Sequence, residues 1–148
     1  LGTTVRPVNG LTIDNTYLMT RMIDQNTHLN IFNNHILRSK WNYQFTKEFS
    51  LRLIGQYVTT ISNPAFTTLP KTKQFNGDVL FTYMITPGTA IYVGYNSDLQ
   101  NLDRSLQGIC ADQPCPPGQT PDGSLRTRRS FLNDGRQVFI KLSYLFRY

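Results

Sequence analysis

The last eleven residues constrain the fold of this chain more than any other stretch. Large apolar side chains occupy every second position of residues 138–148, and most of the positions between them are polar, although Phe139 and Leu145 interrupt the polar set. The alternating apolar residues are Val138, Ile140, Leu142, Tyr144, Phe146 and Tyr148. This two-residue period predicts a β-strand with one apolar face. At the edge of a soluble sheet such a strand would promote aggregation, whereas between lipid and water it is stable.

The aromatic carboxy-terminus supports the membrane interpretation. Closing strands of bacterial outer-membrane β-barrels end in Phe, Trp or Tyr, which the barrel-assembly machinery recognises. We therefore predict that Tyr144, Phe146 and Tyr148 form a C-terminal assembly signal. A strand of an ordinary soluble β-sandwich is the alternative.

Composition excludes a helical membrane protein but permits a barrel. The 148 residues include 9 Phe, 8 Tyr and 1 Trp, yet the mean hydropathy is only −0.34. No apolar run approaches the roughly 18–20 residues that a spanning helix needs. A spanning strand needs only about 9–11 residues, half of them polar.

The net charge of +6 comes from 15 basic and 9 acidic residues that are spread over many segments. Only Arg126, Arg128 and Arg129 cluster. A polar lumen, or loops that face anionic lipid headgroups, explains this spread without nucleic acid. A soluble β-module that binds polyanions through this basic loop is the alternative function.

Cys110 and Cys115 are separated by four residues that include a proline. This spacing predicts a small disulfide loop in an oxidising compartment, with free thiols as the alternative. A metal site is disfavoured because His28 and His35 are distant in sequence and no second Cys pair exists. We predict no cofactor.

Alternation and turn residues predict an all-β, antiparallel meander of about six amphipathic strands as part of a transmembrane β-barrel. The predicted strands are residues 12–22, 35–45, 49–59, 75–86, 89–96 and 136–148. The connections at residues 46–48 and 87–88 are tight, and the other three are long: 24–34, 60–74 and 97–134. Outer-membrane barrels have short periplasmic turns and long external loops. The pattern therefore predicts a periplasmic C-terminus and a long extracellular loop at residues 97–134.

The strand faces divide the candidate residues. On the first strand, Ile13, Tyr17 and Met19 are predicted to face outward and Asp14 inward. Further along the chain, we expect lipid-exposed side chains at Val79, Phe81, Ile140 and Leu142. The predicted lumen-facing polar residues are Arg38, Lys40, Arg52, Asp78, Lys141 and Arg147. These charges either pair with one another across the interior, which we favour, or select anionic or sugar-like solutes.

Six strands are too few for a single-chain barrel, since known bacterial examples start at eight. Unpaired strand edges in lipid cost several kcal/mol per backbone group. Both edges are therefore expected to pair with strands that precede residue 1 or belong to another chain. The chain begins without Met and without signal-peptide features. Export thus implies that a leader was removed, or that residue 1 lies inside a longer polypeptide.

Four stretches carry a resemblance to a known family: residues 13–17, 35–43, 87–95 and 135–146. Together they resemble the C-terminal barrel of a large bacterial family that joins an N-terminal carbohydrate-binding-like β-domain to an outer-membrane barrel of unknown function. The resemblance covers about residues 11–148 and implies that the chain contains the last strands of such a barrel. It implies a pore or anchor for uptake or surface handling of carbohydrate or other polar solutes. It carries over no catalytic residue, and His35 has no Ser-centred motif beside it, so we expect no enzymatic activity in this segment.

Overall fold

The computed structural model describes residues 1–67, 69–102, 126–127 and 131–146 of the chain. In these ranges seven strands form one antiparallel sheet in which every strand pairs with its neighbours in sequence. The strands are β1 (Gly2–Val5), β2 (Leu11–Ile23), β3 (Asn30–Gln44), β4 (Phe49–Ser62), β5 (Thr72–Thr86), β6 (Thr89–Gln100) and β7 (Leu132–Tyr144). The predicted all-β antiparallel meander is confirmed. No helix in these ranges has the length and apolar character needed to cross a membrane.

The two tight connections follow from their local sequence. After β3, the Thr46 hydroxyl accepts hydrogen bonds from the N–H groups of Glu48, at 3.3 Å, and Phe49, at 3.1 Å. Between β5 and β6, Gly88 adopts a φ of 109°, which a residue with a side chain rarely does. Both predicted turns are therefore confirmed.

The strand count of six is wrong, because β1 was missed. Its four residues pair with the first half of β2, from Gly2 opposite Thr16 to Val5 opposite Ile13. The prediction that this edge pairs only outside the chain is therefore also wrong for that half of β2. Residues 18–23 of β2 pair with β3 alone among the described strands. The sheet stays open, with β1 at one edge and β7 at the other.

Most strands extend beyond their predicted bounds at the end of the sheet opposite the tight turns. There β3 begins at Asn30, β4 continues to Ser62 and β6 continues to Gln100. The Asn and Thr residues in these stretches predicted loops, but they continue the strand pairing. Asn34 pairs with Thr60, whose hydroxyl donates a hydrogen bond to the Asn34 amide oxygen at 3.4 Å. The connection predicted at 97–134 is accordingly 101–131. Cys110, Cys115, Arg128, Arg129, Arg147 and Tyr148 lie outside the described residues.

The register places most of the large apolar side chains of β2 to β7 on one face, which we call the apolar belt. One border row contains Tyr17, Leu37, Tyr57, Phe75 and Leu99. The central row contains Ile13, Trp41, Leu53, Val79, Tyr95 and Val138. The other border is aromatic and lies at the tight turns, where Phe49 pairs with Tyr83.

The height of the belt is clearest on β5, whereas on β7 the belt face is apolar from Val138 to Tyr144 and carries Arg136 in the next row. On β5 it runs from Phe75 to Tyr83, which is nine residues, or about 27 Å at a strand rise of roughly 3.4 Å per residue. Beyond Phe75 the next row is polar, because Lys73 pairs there with Thr59. A length of nine residues falls in the range of about 9–11 that a tilted strand uses to cross a bilayer.

The described residues enclose almost no core. Ala90 and Leu102 are their only buried apolar residues. On the belt, Ile140 is 75% exposed, Leu142 66% and Phe81 40%, while Val79 is half-buried. All seven strands belong to one sheet, so no second sheet covers these side chains. The expected exposure is therefore observed for three of the four residues and in part for Val79.

Candidate functional site

The polar face of the sheet carries the predicted site residues. The charged side chains of Lys40, Arg52 and Asp78 lie on the face opposite the belt. The register places them there, because Lys40 pairs with Ile54, Ile54 with Asp78, and Asn42 with Arg52. Arg38 and Lys141 lie on the same face by the same register. The division of the two faces is thus as predicted.

The charges on this face form separate groups and not one ion-pair network. Arg38 and Lys40 alternate along β3, next to Arg52 on β4. The Lys40 ammonium lies 4.0 Å from the Asp14 carboxylate, as the inward placement of Asp14 predicted, and both side chains are about one-third exposed. Lys141 lies apart, with its ammonium 6.0 Å from the centre of the Tyr92 ring. The last contact is at the limit of a cation–π interaction.

The carboxylates of β5 and β6 bind amides and no described cation. The Asn96 amide donates to the carboxylate of Asp78 and, at 3.3 Å, to the amide oxygen of Asn76. One step along, the Gln74 amide donates to both carboxylate oxygens of Asp98, at 3.0 and 3.1 Å. The favoured pairing of Asp78 with a cation is therefore not observed in the described residues. The polar face has cations on β3 and β4, and carboxylates held by amides on β5 and β6.

A polar depression of about 300 Å³ lies among the cations, near the tight turn after β3. Arg52 donates from Nε to the Asn42 amide oxygen at 3.1 Å, which fixes the guanidinium at its edge. Its polar lining side chains are Thr12, Lys40, Asn42, Gln44, Ser50, Arg52 and Thr82. Two cations among amides and hydroxyls suit an anionic or polyhydroxylated solute.

Gly10 closes one side of this depression. It adopts a φ of 86°, and its carbonyl accepts a hydrogen bond from the N–H of Gln44 at 2.8 Å. A side chain here would place its Cβ 2.7 Å from the Gln44 carbonyl oxygen. The close approach therefore requires glycine, and it lays the β1–β2 connection against the end of β3.

The apolar belt satisfies its few polar atoms within itself. Trp41 donates from Nε1 to the Ser39 hydroxyl at 2.7 Å, and Ser39 donates to the Asn15 amide oxygen at 2.6 Å. Beside them, Phe75 lies over Gly55 and Gly77, with ring atoms 3.8 and 3.5 Å from where their Cβ atoms would be. A shallow apolar cavity of about 420 Å³ remains over these two glycines. Self-contained hydrogen bonds are what a surface needs where water is absent.

Two of the three aromatic residues of the predicted assembly signal, Tyr144 and Phe146, lie at the tight-turn end of β7. Their rings meet edge to face, with 4.6 Å between centroids. Across the sheet, the ring centroid of Phe45 lies 4.4 Å from that of Tyr43 and 5.1 Å from that of Phe49. These contacts form an aromatic border at the tight-turn end of the sheet.

His35 pairs with a tyrosine, and the described residues contain no group arranged for a metal ion. His35 lies on the belt side and its Nδ1 is 2.7 Å from the Tyr17 hydroxyl, with the two rings stacked. No group of three or more His, Cys, Asp or Glu side chains in these ranges is arranged for a metal ion. Asp24 alone has a clearly shifted pKa, lowered by hydrogen bonds from the side chain and backbone of Thr27 in the exposed β2–β3 connection.

Sequence reasoning missed a basic cavity at the opposite end of the sheet from the tight turns. Its basic lining residues are Lys71 and Lys73, at the start of β5, and Arg126, which lies more than 50 residues further along the chain. The Arg cluster drew attention to Arg126, but no local pattern connected it to β5. Comparisons of the chain with protein-family models, with curated proteins and with solved structures found no match.

Proposed function

We propose that this chain forms part of the wall of an outer-membrane β-barrel, in which it closes a pore or an anchor. In this arrangement the apolar belt contacts lipid and the polar face borders the aqueous interior. The observation that carries the proposal is the apolar belt, which no other described element covers. A soluble domain would bury such a surface under a second layer.

The borders of the belt support an orientation. The aromatic border coincides with the tight turns, which are periplasmic in outer-membrane barrels. Tyr144 and Phe146 at this level, with Tyr148, are proposed to be read by the barrel-assembly machinery. The C-terminus is then periplasmic, and the connection at 101–131, which contains Cys110 and Cys115, is external.

The open edges imply further strands. Seven strands remain below the eight of the smallest known single-chain barrels. The unpaired backbone groups of β1, of the second half of β2 and of β7 would each cost several kcal/mol in lipid. Further strands of the same polypeptide, as the family resemblance implies, or of another chain are proposed to pair with them.

The polar face supports a role with polar solutes. Lys40 and Arg52 border the 300 Å³ depression, while Asp78 and Asp98 lie across the sheet on β5 and β6. A wall with separated positive and negative groups favours carbohydrate or other polar, anionic solutes over apolar ones. We propose uptake or surface handling of such solutes, without a cofactor and without catalysis by this segment.

Paired cysteine substitutions test the placement of the two faces. In a background with Cys110 and Cys115 replaced by Ser, Leu53→Cys lies on the belt and Arg52→Cys on the polar face of the same strand. Both native side chains are exposed in the structure. After reconstitution of the complete barrel, with the strands that pair with both edges, into phosphatidylcholine vesicles, we expect a charged maleimide to label Arg52→Cys and not Leu53→Cys. A bimane label at Leu53→Cys, attached before reconstitution, should be quenched by nitroxide lipids.

Extraction behaviour is the second readout. The complete barrel that contains this chain should float with vesicles and should resist extraction by alkaline carbonate. Recovery in the aqueous phase, with equal labelling of both cysteines, would overturn the proposal. It would favour the soluble β-module that binds polyanions.

A further inference from the structure

The basic cavity at the non-turn end of the sheet has the features of a built site. It measures about 480 Å³, at the lower end of ligand pockets of roughly 300–1,000 Å³. It lies where β4 ends, β5 begins and the chain leaves β6. Its described lining residues are Thr59, Thr60, Ile61, Lys71, Thr72, Lys73, Asn101, Arg126 and Thr127.

Asn101 holds this cavity together. It is 3% exposed, and every hydrogen-bonding position of its side chain is used. The amide oxygen accepts from the N–H of Lys73 at 2.8 Å and from Nη1 of Arg126 at 3.2 Å. The amide nitrogen donates to the carbonyls of Lys71, at 3.1 Å, and Thr127, at 3.0 Å. One buried side chain thus fixes the backbone of β5 and the Arg126 guanidinium relative to each other.

Segment 126–127 is tied to the sheet by the backbone as well. Thr127 donates its N–H to the Asn101 carbonyl at 2.8 Å, and Arg126 forms an antiparallel bridge with Leu102. Leu102 is 9% exposed, so this segment packs against one of the few buried apolar side chains. Arg126 is therefore positioned in advance, which reduces the entropy cost of binding a ligand.

We propose that this cavity binds a phosphate-type oxyanion. Arg126, Lys71 and the threonines Thr59, Thr60 and Thr72 are among its lining residues, and none of its described lining residues carries a carboxylate. A guanidinium beside the Lys71 ammonium and these hydroxyls matches the tetrahedral oxygens of phosphate in charge and in donors. The inference depends on this cavity and not on the membrane placement proposed above.

The phosphate has two sources with the same chemistry. Lys73 lies in the row next to the Tyr57–Phe75 border of the belt, at the depth of lipid headgroups if the belt lies in a bilayer. A lipid phosphate would then fill the cavity from the membrane surface. Free phosphate, or a phosphorylated solute, would enter from water.

Titration calorimetry on the full chain in dodecyl maltoside micelles separates these sources. One arm adds inorganic phosphate, and the other adds micelles that contain phosphatidic acid, with phosphatidylcholine micelles as the blank. We expect saturable binding in at least one arm. The productive arm identifies the source, and saturation in neither would overturn the proposal.

Charge-matched variants locate the site. Arg126→Gln and Lys71→Gln should each weaken binding about tenfold or more, since each removes a charge-assisted contact. Arg126→Lys should restore part of the loss. Arg38→Gln and Lys47→Gln make the same charge change away from the cavity and should change affinity less than about threefold. Equal losses in all four glutamine variants would show general charge attraction and would reject the site.

Lys71 is exposed, so its substitution tests binding without disturbing the fold. Asn101 and Arg126 contribute to the local structure, whereas the Asn101 bond to residue 71 uses its backbone carbonyl and not its ammonium. Lys71→Gln should therefore leave the circular dichroism spectrum unchanged while it weakens binding. An unchanged affinity in this folded variant would also count against the proposal.

Discussion

The two faces of this sheet belong to the same strands but differ in what their side chains contact. On the polar face, side chains bond across strands, as Asn96 does to Asp78 and Gln74 to Asp98. On the apolar belt, the largest side chains are exposed, and the few polar atoms are satisfied locally, as in the Trp41–Ser39 contact. A soluble sheet places its apolar face inward. The difference indicates that burial of the belt depends on its surroundings and not on a core supplied by the described residues.

A cation placed in the middle of the belt should reveal the largest difference in stability between the two faces. Val79 lies in the central row, between Leu53 and Tyr95. In the complete barrel in phosphatidylcholine vesicles, with both edges of this sheet paired, Val79→Arg should lower the free energy of unfolding by about 2–4 kcal/mol if this row lies at mid-bilayer. Leu142→Arg, four positions nearer the aromatic border by register, should cost less because the cost falls towards the interface. Urea titration followed by tryptophan fluorescence gives these values.

Thr82→Arg is the matched control for the central substitution. Thr82 lies three residues along the same strand, on the polar face between Ser50 and Tyr92. We expect its cost to stay below about 1 kcal/mol, the usual range of a surface substitution being within roughly 0.5 kcal/mol. Similar costs for Val79→Arg and Thr82→Arg would contradict the assignment of one face to lipid.

Glycines under aromatic rings give a second contrast between the faces. On the polar face, an ideal Cβ at Gly94 would lie 2.1 Å from a ring atom of Phe139. Gly94→Ala must therefore displace this ring, and we expect a destabilisation of about 1–3 kcal/mol. On the belt, Gly77→Ala meets Phe75 at 3.5 Å, an ordinary contact, so its effect should be near zero.

A double mutant separates the ring clash from backbone effects. Phe139→Ala should remove most of the additional cost of Gly94→Ala, since the displaced ring is then absent. The measurement is the coupling free energy from the four unfolding curves. Coupling near zero would show that Gly94 is required for its backbone and not for the space under the ring.

The faces of the sheet were predictable because alternation is a local property of a strand. Spacing alone predicts that Val79, Phe81, Ile140 and Leu142 share one side, and the register places them on the same face. The strand ends were less predictable, since Asn34 and Thr60 have loop propensities that cross-strand pairing overrides. The short β1 was missed because its four residues gain their pairing from β2, 8–14 residues along the chain.

The basic cavity was out of reach of sequence reasoning for a different reason. Lys71 and Arg126 are 55 residues apart, and only the hydrogen bonds of Asn101 bring their segments together. Asparagine is also a common turn residue just after a strand, so the residue type alone did not distinguish Asn101 from an ordinary turn residue. Similarly, the charge of Asp78 predicted a cation partner, whereas the register places Asn96 opposite it.

The ion pair between Asp14 and Lys40 should give the smallest effect. The size of its coupling free energy reports how accessible the polar face is to water. The 4.0 Å distance and the partial exposure of both side chains predict a coupling of about 0.2–1 kcal/mol in a double-mutant cycle. Asp14→Asn and Lys40→Met are suitable single changes, because asparagine can still accept the 2.7 Å hydrogen bond that the Thr4 hydroxyl donates to Asp14. The coupling should nearly vanish in 1 M salt, where the screening length is about 3 Å. A coupling above about 2 kcal/mol that persists in salt would mean that the polar face excludes water, which would count against an aqueous interior.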